Sequence, residues 1–469
     1  MNNASEIESP TDWEIAPMKK MVSYSFGFII STYLINNFML AVFYFYEVEI
    51  GLAINLLGLS YIIFAIWSMV NYPILGYLTD RPIPRMDKWG MRAPWILLSA
   101  ILSLLSYFLI FTPPTVDVKN DPWPIFWYML IITCIFDTFY TIFFTHLVGG
   151  FANQFREDFE RRKVSVITLF VPGTILFFMG FIWPLTVKYG KRETFTLAAL
   201  IAVLAMLICA IILIPGISES EETKARYFQG RMDEKRASFL KTMKIAFKQK
   251  NFRVFIIVFT TLTIASFLGL ASGIYFVKDI LRLPLYVSVY TSIAYFIAFM
   301  IGVPFWLIFS INHGHVKTFI LGIFLIGLSL IPYLWITTLE EAIIFSVFRG
   351  FADATIFIVV LMILSDVYDE VTLATGSHQE ATLQGISSFF ARIAAILQAV
   401  IITSVHIITG YNPNPQAKQS ATAIWGIRLH MALIPIICCL LAGFLMIYFY
   451  DLKGEKQQTL KRKLREKGL

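Results

Sequence analysis

Twelve apolar runs separated by short polar stretches make up this chain, at about 21–46, 52–78, 93–113, 123–150, 164–188, 194–215, 253–277, 285–310, 316–337, 341–365, 380–409 and 422–450. A helix rises 1.5 Å per residue, so a run of about 20 residues matches the roughly 30 Å hydrocarbon core of a bilayer. Lipid offers the backbone no hydrogen-bond partner, so each run is expected to be a helix. The one long polar stretch, 216–252, leaves six runs on each side. The pattern predicts an all-α polytopic membrane protein with 12 transmembrane helices. Its expected parts are an N-terminal segment 1–20, a six-helix half 21–215, a linker 216–252, a second half 253–450 and a basic tail 451–469.

Charge adds an orientation. Of the 38 lysines and arginines, 28 lie in or at the edges of the N-terminal segment, the even-numbered connections and the tail; about eight lie in or near the odd-numbered connections. Arg349 and Arg392 lie within runs. By the positive-inside tendency both termini are expected in the cytoplasm of a protein of the cell membrane. Composition agrees with the class: 57% apolar and only 15% charged residues, where soluble chains carry about 25% charged. The net charge of +7 does not point to nucleic acid, because the basic residues sit between membrane helices. The acidic start MNNASEIESP lacks the basic n-region and apolar core of a cleaved signal. All four cysteines lie in apolar runs without metal-ligand spacing. No nucleophile–base pair, metal cluster or phosphate-cradling glycine loop is visible, so neither an enzyme nor a cofactor is expected. Within the linker, Phe239 to Phe247 has helical apolar spacing amid lysines. That reads as an amphipathic helix on the anionic inner leaflet, or alternatively as a solvated connector. The polybasic tail is expected on the same surface.

Charges within membrane helices are costly and tend to be paired or functional. Asp137 in the fourth run and Asp353 in the tenth sit in similar strings, IFDTFYTIF and FADATIFIV, and are read as counterparts in the two halves. Asp137 is a cavity acid or simply a solvated position. Arg349 stands four residues before Asp353, close enough to pair along one helix face. That pair serves a binding site or merely neutralises itself near the rim. Arg392 has no acidic neighbour nearer in sequence than Glu380, so it needs a carboxylate on another helix or an anionic substrate group. His146 and His406 are proton-shuttle candidates or packing residues. Thr32, Asn36, Asn37, Asn71 and Tyr140 line a polar cavity or bond neighbouring helices.

Two stretches carry a family resemblance. Gly76, Leu78, Asp80 and Arg81, then Trp89-Gly90 and Arg92-Ala93-Pro94-Trp95, resemble the helix 2–helix 3 hairpin of the major facilitator superfamily. The nearest pattern is that of the glycoside–pentoside–hexuronide:cation symporters, the melibiose permease group, which also includes lysolipid carriers. Asp366, Asp369, Glu370, Thr375, Gly376 and Glu380 resemble that family's acidic end of helix 10, the loop after it and the turn into helix 11. Arg392 stands where melibiose permease has a functional lysine. Two departures matter. Trp67, Asn71 and Pro73 match the helix 2 motif, but Ser68 and Tyr72 replace its two sodium-binding aspartates. Thr32 and Phe144 replace the sugar-binding aspartates of helices 1 and 4.

The resemblance implies a monomeric secondary transporter of a small organic solute, a sugar or glycoside first, working by alternating access. A lysolipid or amphiphile carrier, an uncoupled facilitator and a transport-inactive sensor or scaffold are the alternatives. A serine and a phenol supply no negative charge at neutral pH, so the expected coupling ion is the proton rather than sodium. A buried carboxyl group keeps its proton more readily, and Arg349 opposes this at Asp353, so Asp137 is the expected carrier. Substrate and ion candidates are Thr32, Asn36, Asn71, Asp137, Tyr140, Arg349, Asp353 and Arg392. Gate candidates are Asp80, Arg81, Arg92, Asp366, Asp369, Glu370 and Glu380, with Asp80 expected to pair with basic residues near helix 11 or the 4–5 connection. No metal site is expected.

Overall fold

The computed structural model describes residues 15–79, 90–155, 158–219, 239–376 and 380–466. Twelve helices among them are long and apolar enough to cross a membrane. We number them α1 (Met18–Tyr44), α2 (Ile54–Thr79), α3 (Ala93–Ile110), α4 (Trp123–Gln154), α5 (Asp158–Met179), α6 (Arg192–Ile217), α7 (Lys250–Tyr275), α8 (Ser288–His313), α9 (His315–Leu330), α10 (Leu339–Thr375), α11 (Glu380–Thr409) and α12 (Ala421–Tyr448). Apolar side chains cover the outside as well as the core: Ile211, Ile311 and Leu361 are at least 65% exposed. A helix bundle that is apolar all round is built for lipid.

With no hydrophobic drive between helices in lipid, close packing relies on small residues. Gly350 of α10 lies against the Tyr295 carbonyl of α8, and Gly302 of α8 against Ala354 of α10. Gly216 of α6 lies against the backbone of Tyr24 in α1. The halves meet where α1 packs on α7 and α2 on α11. At the second contact a Cβ on Gly58 would come within 2.6 Å of Thr403 Oγ1, so only glycine lets the helices approach this closely.

Several helices outrun their apolar strings. The first, seventh and last carry a π-helical turn: Phe45–Glu49 after α1, Phe276–Leu281 after α7 and Leu429–Leu433 inside α12. All three lie at the end of the bundle opposite the termini. Helix α10 starts on a capping box, with Thr338 accepting from the Glu341 amide, and ends at Gly376 with φ 71°. The expected acidic loop after helix 10 is therefore helix: Asp366, Asp369, Glu370 and Thr375 all lie on α10.

The linker helix Phe239–Ala246 packs against α10 and α11, burying Thr242 and Ala246. Phe247 after it meets the rings of Phe252 and Phe390. It docks on the protein, a correction to the solvated alternative. The tail forms a helix, Glu455–Glu466, against α10. Leu460 and Leu464 are buried beneath it, while Lys456, Lys461 and Arg462 stay exposed.

Candidate functional site

A cavity of about 150 Å³ lies between the halves. It is lined by Ile35 and Met39 of α1, Tyr140 and Phe144 of α4, Phe267 of α7, and Ser388, Ala391, Arg392 and Ala395 of α11. Its walls are mostly apolar. Tyr140 stands in a ladder of parallel rings between Phe136 and Phe144. These three recur at four-residue spacing on α4, so one helix face presents them together.

Arg392 brings the only cation among the lining residues. Its Nη1 lies 3.5 Å from Asp137 Oδ1, so the carboxylate it required on another helix belongs to the other half of the molecule. Asp137 is buried, as are Ser68 and Asn71 of α2. Ser68 Oγ donates to Asp137 Oδ1 at 2.8 Å, and Asn71 Nδ2 donates to Oδ2 at 3.3 Å. Asn71 Nδ2 also reaches Thr138 Oγ1 at 3.2 Å, which Trp67 Nε1 contacts at 3.3 Å. Helices α2, α4 and α11 are thus cross-linked through one carboxylate. Burying a carboxyl group this deep is costly, and an opposite charge with two hydrogen bonds offsets the lost water.

Asp353 does not mirror this arrangement. It takes Arg349 Nε at 2.8 Å on its own helix and the Tyr295 hydroxyl of α8 at 3.1 Å. Both contacts stay inside the second half, and neither Arg349 nor Asp353 lines the cavity. Asn36 is exposed and Thr32 half-buried on α1, beside the lining but not in it. Asn37 is buried and donates to the Tyr33 carbonyl.

The gate candidates divide in two. Asp80 and Arg81 lie outside the described residues, as does the side chain of Glu380. For Arg92, Asp366 and Glu370 the described contacts lie within their own half or with the tail. Glu219, just past α6, accepts from the backbone amides of Met91 and Arg92 at 2.8 and 2.7 Å, capping the start of α3 with negative charge. The Arg92 side chain packs on Gly149 of α4. Asp366 accepts from His315 at 2.6 Å and from Gln457 of the tail helix at 2.7 Å. Glu370 accepts from Asn251 at 2.8 Å, and Asn251 also bonds Asp451. Asp369 is half-buried beside them. The described contacts of Arg92, Asp366 and Glu370 fasten the two ends of the linker and the tail helix to the bundle.

One group of buried polar residues has little signature in the sequence. Glu47, at the π-turn of α1, accepts from Tyr275 at 2.5 Å and contacts His406 Nδ1 at 2.8 Å. His406 Nε2 lies 3.3 Å from His430 Nε2, and His430 Nδ1 lies 2.6 Å from Ser272 Oγ. This chain runs from the first half to α7, α11 and α12 of the second. His406 is recognisable from sequence as an intramembrane histidine. His430 carries the same signal inside the last run, but Glu47 does not, because it stands just past the edge of an apolar run that a π-turn carries into the protein.

Known proteins share this architecture. The family model described as MFS/sugar transport protein matches residues 23–454. The sodium-dependent lysophosphatidylcholine symporter 1-A of Danio rerio is 22% identical over 88% of this chain and 82% of its own length. The sphingosine-1-phosphate transporter MFSD2B of Xenopus tropicalis is 22% identical over 84% of this chain and 80% of its own. Among solved structures, the nucleoside transporter NupG aligns over 93% of this chain and all of its own, with a TM-score of 0.58 and 13% identity. That likeness concerns the fold alone.

Proposed function

The chain belongs to the MFS/sugar transport protein family, within the major facilitator superfamily, and from that premise we propose that this secondary transporter moves a single-chain amphiphile with a phosphate-bearing head group. The observation that carries the reading is the inter-half cavity, walled by Ile35, Met39, Phe144 and Phe267 with Arg392 as its one cation. A sugar presents hydroxyls on every side and wants a matching set of donors and acceptors. A lipid tail wants these apolar walls, and a phosphate wants a guanidinium. Lysophosphatidylcholine and sphingosine-1-phosphate, named for two relatives, each combine a phosphate with one chain. The resemblance of the helix 2–3 hairpin supports placement as a divergent relative of the melibiose permease group, with the substrate changed from sugar.

In this reading Arg392 changes partners. Unloaded, it pairs with Asp137 and ties α11 to α4. A bound phosphate draws the guanidinium away, loosens that tie and leaves Asp137 without its counter-charge. A proton then neutralises Asp137, which makes the proton the coupling ion. Sodium is not expected at the helix 2 position, where Ser68 donates to Asp137 and Arg392 already supplies a positive charge. The lysine and arginine asymmetry supports termini on the cytoplasmic side.

Uptake into proteoliposomes tests the reading. Fluorescent lysophosphatidylcholine should enter faster with wild-type protein than with Arg392→Ala, under an imposed pH gradient and without sodium. Melibiose uptake with no lysolipid uptake would reverse the substrate assignment. Binding of lysolipid without any uptake would favour the sensor.

A further inference from the structure

The buried chain at the end opposite the termini has a countable set of protons. Ser272 Oγ lies 2.5 Å from the Leu268 carbonyl. A carbonyl has no proton to give, so the serine hydroxyl donates there. Ser272 can then only accept from His430 Nδ1, which must carry a hydrogen. A neutral His430 therefore presents a bare Nε2. His406 Nε2, 3.3 Å away, must be the donor of that contact. Its other nitrogen, Nδ1, faces the Glu47 carboxylate at 2.8 Å, and that contact also needs a hydrogen.

The contacts close only if Glu47 and His406 together hold one proton more than a carboxylate and a neutral ring. With that proton gone, His406 has a single N–H. Either Nδ1 faces the carboxylate bare, or Nε2 faces the bare Nε2 of His430. A lone-pair contact between buried groups is repulsive and leaves acceptors unsatisfied.

Neighbouring charges leave this balance to the pair. Tyr275 donates to the other oxygen of Glu47. Lys278 and Asp279 on the α7 turn pair at 2.8 Å, and Tyr411 after α11 donates to Asp279 at 2.9 Å. On the element of Glu47 itself, Tyr44 reaches Glu49 at 3.5 Å, and Glu49 accepts from the Gly190 amide; Tyr189 stands beside Tyr44. Glu47, Asp279 and His430 all sit on the three π-turns, a distortion that recurs at functional sites.

We propose that Glu47, His406 and His430 form a proton-binding latch that holds this end of the two halves shut while protonated and lets it part when the proton leaves. The latch gives alternating access a proton site separate from Asp137. It rests on the transporter reading only for its use in transport, and its test reads conformation rather than uptake.

Hydrogen exchange on the full chain in lipid nanodiscs measures the latch directly. One lost charged hydrogen bond changes the opening equilibrium about tenfold. Backbone protection of Phe45–Glu49 and Leu429–Leu433, corrected for intrinsic rates, should fall by about that factor from about pH 5 to about pH 8, the range of histidine switches. Glu47→Gln should flatten the response. Ser272→Ala keeps both titrating groups but frees His430 to move its hydrogen to Nε2 and donate to a neutral His406; it too should flatten the response. If Glu47→Gln does not fold, Ser272→Ala decides alone. No pH response in the wild type, or an undiminished one in Ser272→Ala, would overturn the proposal. Neither result depends on which solute is carried.

Discussion

At the scale of the residue, Arg392 and Asp137 dominate. Each is expensive to bury alone and tolerable together, so removing one should cost more than the pair contributes. Arg392→Ala is expected to destabilise the fold by about 3 kcal/mol. Arg392→Ala with Asp137→Asn should recover much of that loss, and thermal melting of the three variants closes the cycle. Additive losses would show that the two residues are not coupled. Asp353→Asn should behave differently: its contacts to Arg349 and Tyr295 stay within one half, so melting should drop while lysolipid uptake per folded molecule is kept. Both aspartates and both arginines are visible in the sequence as charges in apolar runs. What the sequence lacks is the partner. Arg392 and Asp137 lie 255 positions apart, and only the packing of both α11 and α4 against α2 brings them together.

At the scale of the element, helix ends are the least legible feature. An apolar-run reading stops a helix at its first charges, but here buried partners extend it. Helix α10 continues past 365 because Asp366 and Glu370 find His315, Gln457 and Asn251. The π-turns do the same for Glu47 and Asp279. Close approach has its own test. Gly58→Val would push into Thr403 and should lower the melting temperature, with Thr403→Ala restoring part of it; an unchanged melt would mean the α2–α11 contact is slack.

The tail helix offers a pH test at the same scale. Burial acts to raise the pKa of Asp451, but hydrogen bonds from Lys456, Asn251 and Lys250 outweigh it and hold the carboxyl at about 2, below its usual 3.8. A depressed folded pKa gives stability that is present above the usual value and lost as pH falls toward the folded one. The side chain is 35% exposed, so screening keeps the contribution to about 1 kcal/mol or less. Hydrogen-exchange protection of Glu455–Glu466, corrected for intrinsic rates, should be full at neutral pH and fall between about pH 4 and about pH 2. Asp451→Asn should lower it at neutral pH.

At the scale of the whole molecule, the twelve apolar runs and the charged linker make the six-plus-six layout readable from the sequence. Periodicity alone reports which segments enter lipid, and lipid then dictates helix. The substrate is less readable, because the cavity forms from four helices far apart in sequence. Phe144, met in the sequence as the loss of a sugar-binding aspartate, becomes part of an apolar wall opposite Arg392. The account's central claim is that this wall and this cation carry a single-chain amphiphile by its tail and its phosphate. Its most direct test is fluorescent lysophosphatidylcholine uptake by proteoliposomes holding wild type, Arg392→Lys or Arg392→Ala. The account predicts robust uptake by the wild type, reduced uptake with lysine, which keeps the charge but not the bidentate fork, and about a tenfold or greater loss with alanine, the scale of one charged hydrogen bond. Equal uptake by all three would contradict it.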